Sequence, residues 1–162
     1  MSIKFQDNLL YPNEAEVIKY KGKEPFRIYR EMSGILKDAL ETSGAKVWER
    51  IVKWDLTSPN RSFYVSWEAE RGIDGWTKIS VYVTAMGNQN SETRMGEVTI
   101  KIRATFTTKV SLSSFQKIFW WIYYFIYYKK KRLHDFYMAK NLVNRLKIKI
   151  GELYGIKVEE SS

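Results

Sequence analysis

The chain of 162 residues contains no cysteine. That removes disulfides, thiolate metal ligands and cysteine nucleophiles together, and it suits a reducing, cytoplasmic compartment. Histidine is nearly as scarce: His134 stands alone, so a histidine cluster for zinc is excluded. Asp135 follows it directly, but neighbours on a helix point in different directions and do not make an oriented acid–base pair. No run reaches the ~18–20 apolar residues of a spanning helix. The opening MSIKFQDNLLYPNEAE has early acids and no apolar stretch of a secretory signal. The sequence contains no P-loop, dinucleotide fingerprint, nucleophile elbow or RNA-recognition motif. It therefore points to no catalytic residue, no metal ligand and no cofactor, and the expectation is a binding protein rather than an enzyme.

What is present is ordinary for a globular protein. Hydrophobic residues make up 44% and charged residues 28%, enough to bury a core without disulfides or metals. The length fits a single domain over residues 1–158, with 159–162 a tail free to fray. The net charge is +9, and it is unevenly spread. Residues 1–112 carry 17 basic and 14 acidic side chains, whereas 113–158 carry 10 basic side chains against only Asp135 and Glu152. An anionic partner would meet the C-terminal third.

Periodicity sets the element order. Residues 3–11 read as a short strand broken by Pro12-Asn13, and 15–21 as a second strand ended by Gly22. Pro25 opens a helix over 25–43, with Tyr29, Met32, Leu36, Ala39 and Leu40 at helical spacing and Gly44 as its stop. Four strands follow over 47–56, 62–70, 76–85 and 97–110, with Gly87 to Ser91 as a polar loop. The last is the clearest, with Val98, Ile100, Ile102, Ala104 and Phe106 alternating against Thr and basic residues. Trp48, Val52, Trp54 and Leu56 share a parity, and Trp48, Trp54 and Trp67 are expected to face inward. From Ser113 or Ser114 the chain is helical, and Phe136, Ala139, Val143, Leu146, Ile150 and Leu153 form an apolar stripe. Ser114 to Gly151 as one helix would be about 55 Å long, so a kink is expected at 129–135.

The expected fold is α+β: an antiparallel meander sheet of four to six strands, with one face covered by the N-terminal helix and the long C-terminal helix. This order resembles the helix-grip folds of the START and Bet v 1 group. The resemblance implies a curved sheet around the C-terminal helix and a cavity between them. Those folds have six strands after the helices where this chain shows four, and a two-layer sandwich fits the same order.

One segment supports a functional expectation. Ile118 to Tyr128 (IFWWIYYFIYY) abuts Lys129-Lys130-Lys131-Arg132. Trp and Tyr rings settle at membrane interfaces and basic side chains attract anionic headgroups. The first expectation is docking on an anionic membrane surface through helix 115–132, with Trp120, Trp121, Tyr124 and Tyr128 inserting and Lys129 to Arg132 supplying charge. The same residues suit nucleic acid by stacking and phosphate neutralisation. They also suit packing in the chain's own core or a homodimer through the aromatic helix. A further alternative is a helix-grip carrier of a small apolar ligand, with Trp48, Trp54 and Trp67 lining the pocket. Glu68, Glu70 and Asp74 near one strand end are read as exposed acids balanced by Lys101 and Arg103.

Overall fold

The computed structural model describes residues 1–159, so the expected tail lies outside the described residues beyond Glu159. Strands β1 (Ser2–Asn8) and β2 (Glu16–Lys23) precede helix α1 (Ile28–Leu40). Strands β3 (Val47–Trp54), β4 (Asn60–Gly72), β5 (Thr77–Asn90) and β6 (Met95–Ser111) then form the meander. Helix α2 (Gln116–Tyr123) runs through a π turn (Tyr124–Tyr128) into α3 (Lys129–Leu153). The six-stranded sheet has the order β1-β6-β5-β4-β3, with β2 also on β6. β1 pairs with the C-terminal half of β6 and β2 with its N-terminal half, so the two share one edge in series. The turn between them tucks Leu9 and Leu10 into the core. The α+β class, the antiparallel sheet and its cover of two helices are as the periodicity implies.

The period-two strands explain where the core sits. Val65, Trp67 and Ala69 of β4, Val81 and Val83 of β5, and Ile100 and Ile102 of β6 all lie on one face, buried. Against them pack Met32, Leu36 and Leu40 of α1 and Ala139, Val143, Leu146 and Ile150 of α3. Each buried Leu, Ile or Val contributes about 1.5–3 kcal/mol of transfer free energy. The space that a helix-grip fold leaves for a ligand is therefore filled with side chains along the middle of the sheet.

Four local departures have identifiable causes. β5 and β6 run past the expected loop at 87–91, because Gly87 and Gly96 mark a close backbone approach rather than a turn. A Cβ on Gly87 would lie 1.9 Å from the Glu97 carbonyl oxygen, and one on Gly96 1.9 Å from that of Asn88. Helix α1 ends at Leu40, not Gly44: Glu41 adopts the left-handed conformation at φ 52, with its carboxylate paired to Arg71 and Arg145. β3 carries a bulge between Glu49 and Ile51. The extra residue puts Trp48 opposite Glu68 on the outer face, whereas Val52 and Trp54 oppose the inward Val65 and Phe63. Trp48, expected inward, is thus on the outer face, half-buried, with the Arg50 guanidinium 5.2 Å from its ring centroid. Lastly, the C-terminal helix has no break at 129–135. Its irregularity is the π turn just before, which adds a residue to one turn without stopping the helix.

Candidate functional site

The aromatic helix leaves the main core and builds a small one of its own. Ser113 and Gln116 start it by exchanging hydrogen bonds: the Ser113 N–H donates to Gln116 Oε1 at 3.1 Å and the Gln116 N–H to Ser113 Oγ at 3.4 Å. Trp120, Tyr128 and Val110 are buried together, flanked by Ile3, Phe5, Leu112 and Tyr124. Phe5 of β1 is the platform, stacked against Trp120 at 6.1 Å and Tyr124 at 5.4 Å. Trp76, from the turn between β4 and β5, meets Tyr128 edge-on at 5.5 Å. Steps of four residues from Trp120 to Tyr124 to Tyr128 keep these rings on one side, which suits a π turn better than a regular helix.

Beneath Tyr128 lies a polar network. The Tyr128 hydroxyl shares a hydrogen bond of 2.5 Å with Thr77 Oγ1 and donates to Asp74 Oδ2 at 3.1 Å. Thr77 is bonded in turn to Thr108 at 2.8 Å. Lys131 Nζ reaches Asp74 at 2.9 Å and Asp135 at 2.5 Å. Arg132 donates to Thr108 at 2.8 Å and pairs with Asp7 at 2.6 Å, its guanidinium 5.0 Å from the Phe106 ring centroid. The charge states reinforce this clamp. The hydrogen bond to Asp135 raises the Lys131 ammonium well above the ordinary lysine range, against burial and with help from Asp74. Burial pushes the Asp74 carboxyl up, but Lys131, the Trp76 and Thr77 N–H groups and the Tyr128 hydroxyl outweigh it and hold the carboxyl below its ordinary value. Burial raises the Tyr128 phenol. These hydrogen bonds and ion pairs fasten the helix to the sheet.

The expected site residues divide accordingly. Trp120 (5% exposed) and Tyr128 (1%) face the chain's own sheet, and Lys131 and Arg132 are held in ion pairs. Trp121 is at the boundary, 36% exposed, and Tyr124 is half-buried. Lys129 and Lys130 are exposed and form no salt bridge among the described residues. The outward side of the same helix carries Phe115, Ile118, Phe119, Ile122, Phe125 and Ile126, all exposed, with Phe125 at 65% and Ile126 at 74%. They follow one another in steps of three and one, forming a single ridge that ends in Lys129 and Lys130. Sequence reasoning weighted the Trp and Tyr residues and missed this ridge. The available signal was the helical spacing of the Phe and Ile residues from Phe115.

Of the expected pocket residues, Trp67 is buried in the main core, Trp54 is 42% exposed at the sheet's rim, and Trp48 is on the other face. They do not line one cavity. Glu68 pairs with Arg50 and Glu70 with Lys78, rather than with Lys101 and Arg103. His134 is exposed and Asp135 is turned to Lys131. Among the described residues no helix is long and apolar enough to cross a membrane, and no three of His, Asp or Glu come together as metal ligands.

No family model matches the chain, and no curated protein matches it either. Among solved structures it is similar to an uncharacterised protein from Rhizobium leguminosarum, at 12% identity, covering 90% of this chain and 98% of that one with a TM-score of 0.23. That likeness is too slight to carry an argument about fold or function.

Proposed function

We propose that the protein is a binding domain that docks on an anionic membrane surface through the ridge of Phe115 to Ile126 and the adjoining Lys129 and Lys130. The observation that carries this reading is the ridge itself: six bare hydrocarbon side chains on a helix whose Trp and Tyr side is already fastened to its own sheet. A monomeric surface rarely exposes so continuous an apolar strip without an occupant. The helix is too short in apolar length to span a bilayer, so it would lie in the headgroup layer with the sheet above it.

Charge favours a membrane over a second copy. A two-fold contact through the ridge would press together two copies of a region that carries 10 basic against two acidic side chains. Anionic lipid relieves that repulsion, with about 1 kcal/mol per basic residue near the surface. Nucleic acid is a poorer fit, because Ile118, Ile122 and Ile126 share the exposed face and bases stack on rings rather than on branched aliphatic chains.

Co-sedimentation with phosphatidylserine–phosphatidylcholine vesicles at low salt tests the proposal. Wild type should bind these and bind pure phosphatidylcholine at least about tenfold more weakly. Ile122→Ser with Ile126→Ser should abolish binding without lowering Tm. Failure of wild type to bind anionic vesicles would end the proposal. So would a ridge variant that binds as wild type does, or a wild-type dimer that the same substitutions convert to monomer.

A further inference from the structure

A concavity of about 420 Å³ opens at the end of β5 opposite to Trp76, where the start of α1 meets the rims of β3, β4 and β5. It is lined by Arg27, Arg30, Arg61 and Arg94, with Glu24 as the one acid. Arg94 is spoken for: it pairs with Glu24 at 2.9 Å and pulls that carboxyl below its ordinary value. Arg27, Arg30 and Arg61 form no salt bridge among the described residues. Arg61 shares the inward face of β4 with Phe63 and is half-buried, and its Nε is buried without an acceptor. A guanidinium donor taken out of water and left unpaired costs free energy that an oxyanion would recover. The N-terminal end of α1 adds its positive pole on the same side.

An aromatic wall stands beside the arginines. Trp54 lines the pocket and is backed by Phe26 at 4.2 Å, which stacks on Tyr29 at 5.1 Å. Trp54 is therefore held from behind while much of its ring is open. The pocket is also braced by residues under strain. Glu24 and Arg94 both adopt left-handed conformations, at φ 53 and 58, and the Glu24 N–H donates to the Arg94 carbonyl at 2.7 Å. Strain of this kind persists where surroundings impose it, and it gathers at ligand clamps.

We propose that this pocket binds a small planar molecule bearing an oxyanion, with the anion on Arg61, Arg27 and Arg30 and the ring against Trp54. The site lies at the far end of the sheet from the membrane-docking ridge and does not depend on it. Phosphate and carboxylate share the chemistry, since both accept paired donors from a guanidinium.

Isothermal titration calorimetry with adenosine 5′-monophosphate, adenosine, inorganic phosphate and indole-3-acetate tests the site. One of the two compounds that combine a ring with an anion should bind saturably. The parts of the phosphate compound, adenosine and phosphate alone, should bind at least about tenfold more weakly than the whole. A preference for the monophosphate or for indole-3-acetate identifies which oxyanion the arginines take. Arg61→Gln should weaken binding about tenfold or more while Tm holds or rises, and Trp54→Leu should weaken the ring compounds and leave phosphate unchanged. If R61Q lowers Tm, the exposed Arg30→Gln serves in its place. The proposal falls if neither ring-bearing anion binds saturably up to about 10 mM. It also falls if neither arginine substitution weakens binding, or if phosphate alone binds as well as the monophosphate. Vesicle binding through the ridge has no bearing on any of these outcomes.

Discussion

The main core and the aromatic annex solve the same problem differently. Under β4, β5 and β6 helices α1 and α3 close over the sheet, and residue after residue reaches zero exposure. At the other end, α2 and the π turn rest on little more than Phe5, Val110, Leu112 and Trp76, and only one side of the helix is covered. The difference lies in supply. The sheet's long strands offer a broad apolar face to α1 and α3, but the annex has only the end of β6 and the short β1 to work with. Hydrocarbon that finds no partner inside the protomer is left on the outside, and that is the ridge. The annex compensates with directed bonds, holding its position through the Asp74–Tyr128–Thr77 network and the Lys131 and Arg132 pairs.

That contrast can be broken by experiment. The largest effect belongs to the closed core. Trp67→Ala should lower global stability by about 3–5 kcal/mol, read as a shift in the urea midpoint with all probes moving together. Trp120→Ala should cost less, about 2–3 kcal/mol, because neighbours on its open side can move into the space. Its signature is local: amide exchange should accelerate over 116–128 while β5 and β6 stay protected. Uniform loss across the chain would mean that the annex and core are one cooperative unit.

Acid should separate the two regions more gently. The Asp74 carboxyl is held below its ordinary value in the folded chain. A carboxyl depressed on folding stabilises above its unfolded value, and that contribution disappears as pH falls through the folded value. Below about pH 4 exchange over 116–128 should therefore rise ahead of the core, and in Asp74→Asn the acid step should be missing. Lys131 is shifted upward, so its contribution is complete at every pH below the ordinary lysine range and leaves this window undisturbed. The smallest effect on folding belongs to Lys129→Ala with Lys130→Ala, which should change stability by no more than about 0.5 kcal/mol. The same change should weaken vesicle binding by about tenfold or more, separating a surface charge with a partner outside the chain from the structural Lys131.

Much of the fold is legible because it is local. The alternation over 97–110 and the three- and four-residue steps from Phe136 to Leu153 are properties of neighbouring residues, and they correctly place β6 and α3. The faces of β3 are not local in this way. One bulged residue at Arg50 reverses the sense of Trp48 relative to Trp54, and nothing in the alternation marks it. Helix 115–132 shows its composition plainly but not its orientation, which depends on Phe5, more than a hundred residues earlier, and on the phase of the π turn. The arginine pocket is less visible still. Arg27, Arg30, Arg61 and Arg94 come from one helix start and two hairpin ends, and only the folded sheet brings them together.

The π turn has a mechanical reading beyond packing. It works as a one-residue phase shifter between a segment anchored in the core and a segment that displays its surface. Wound as a regular helix with no residue removed, the same sequence would rotate everything before Tyr124 by about 100°. Trp121 would then take the place of Trp120 against Phe5, and Trp120 would move into the position of Phe119. The exposed strip would be re-dealt without altering a single side chain within it.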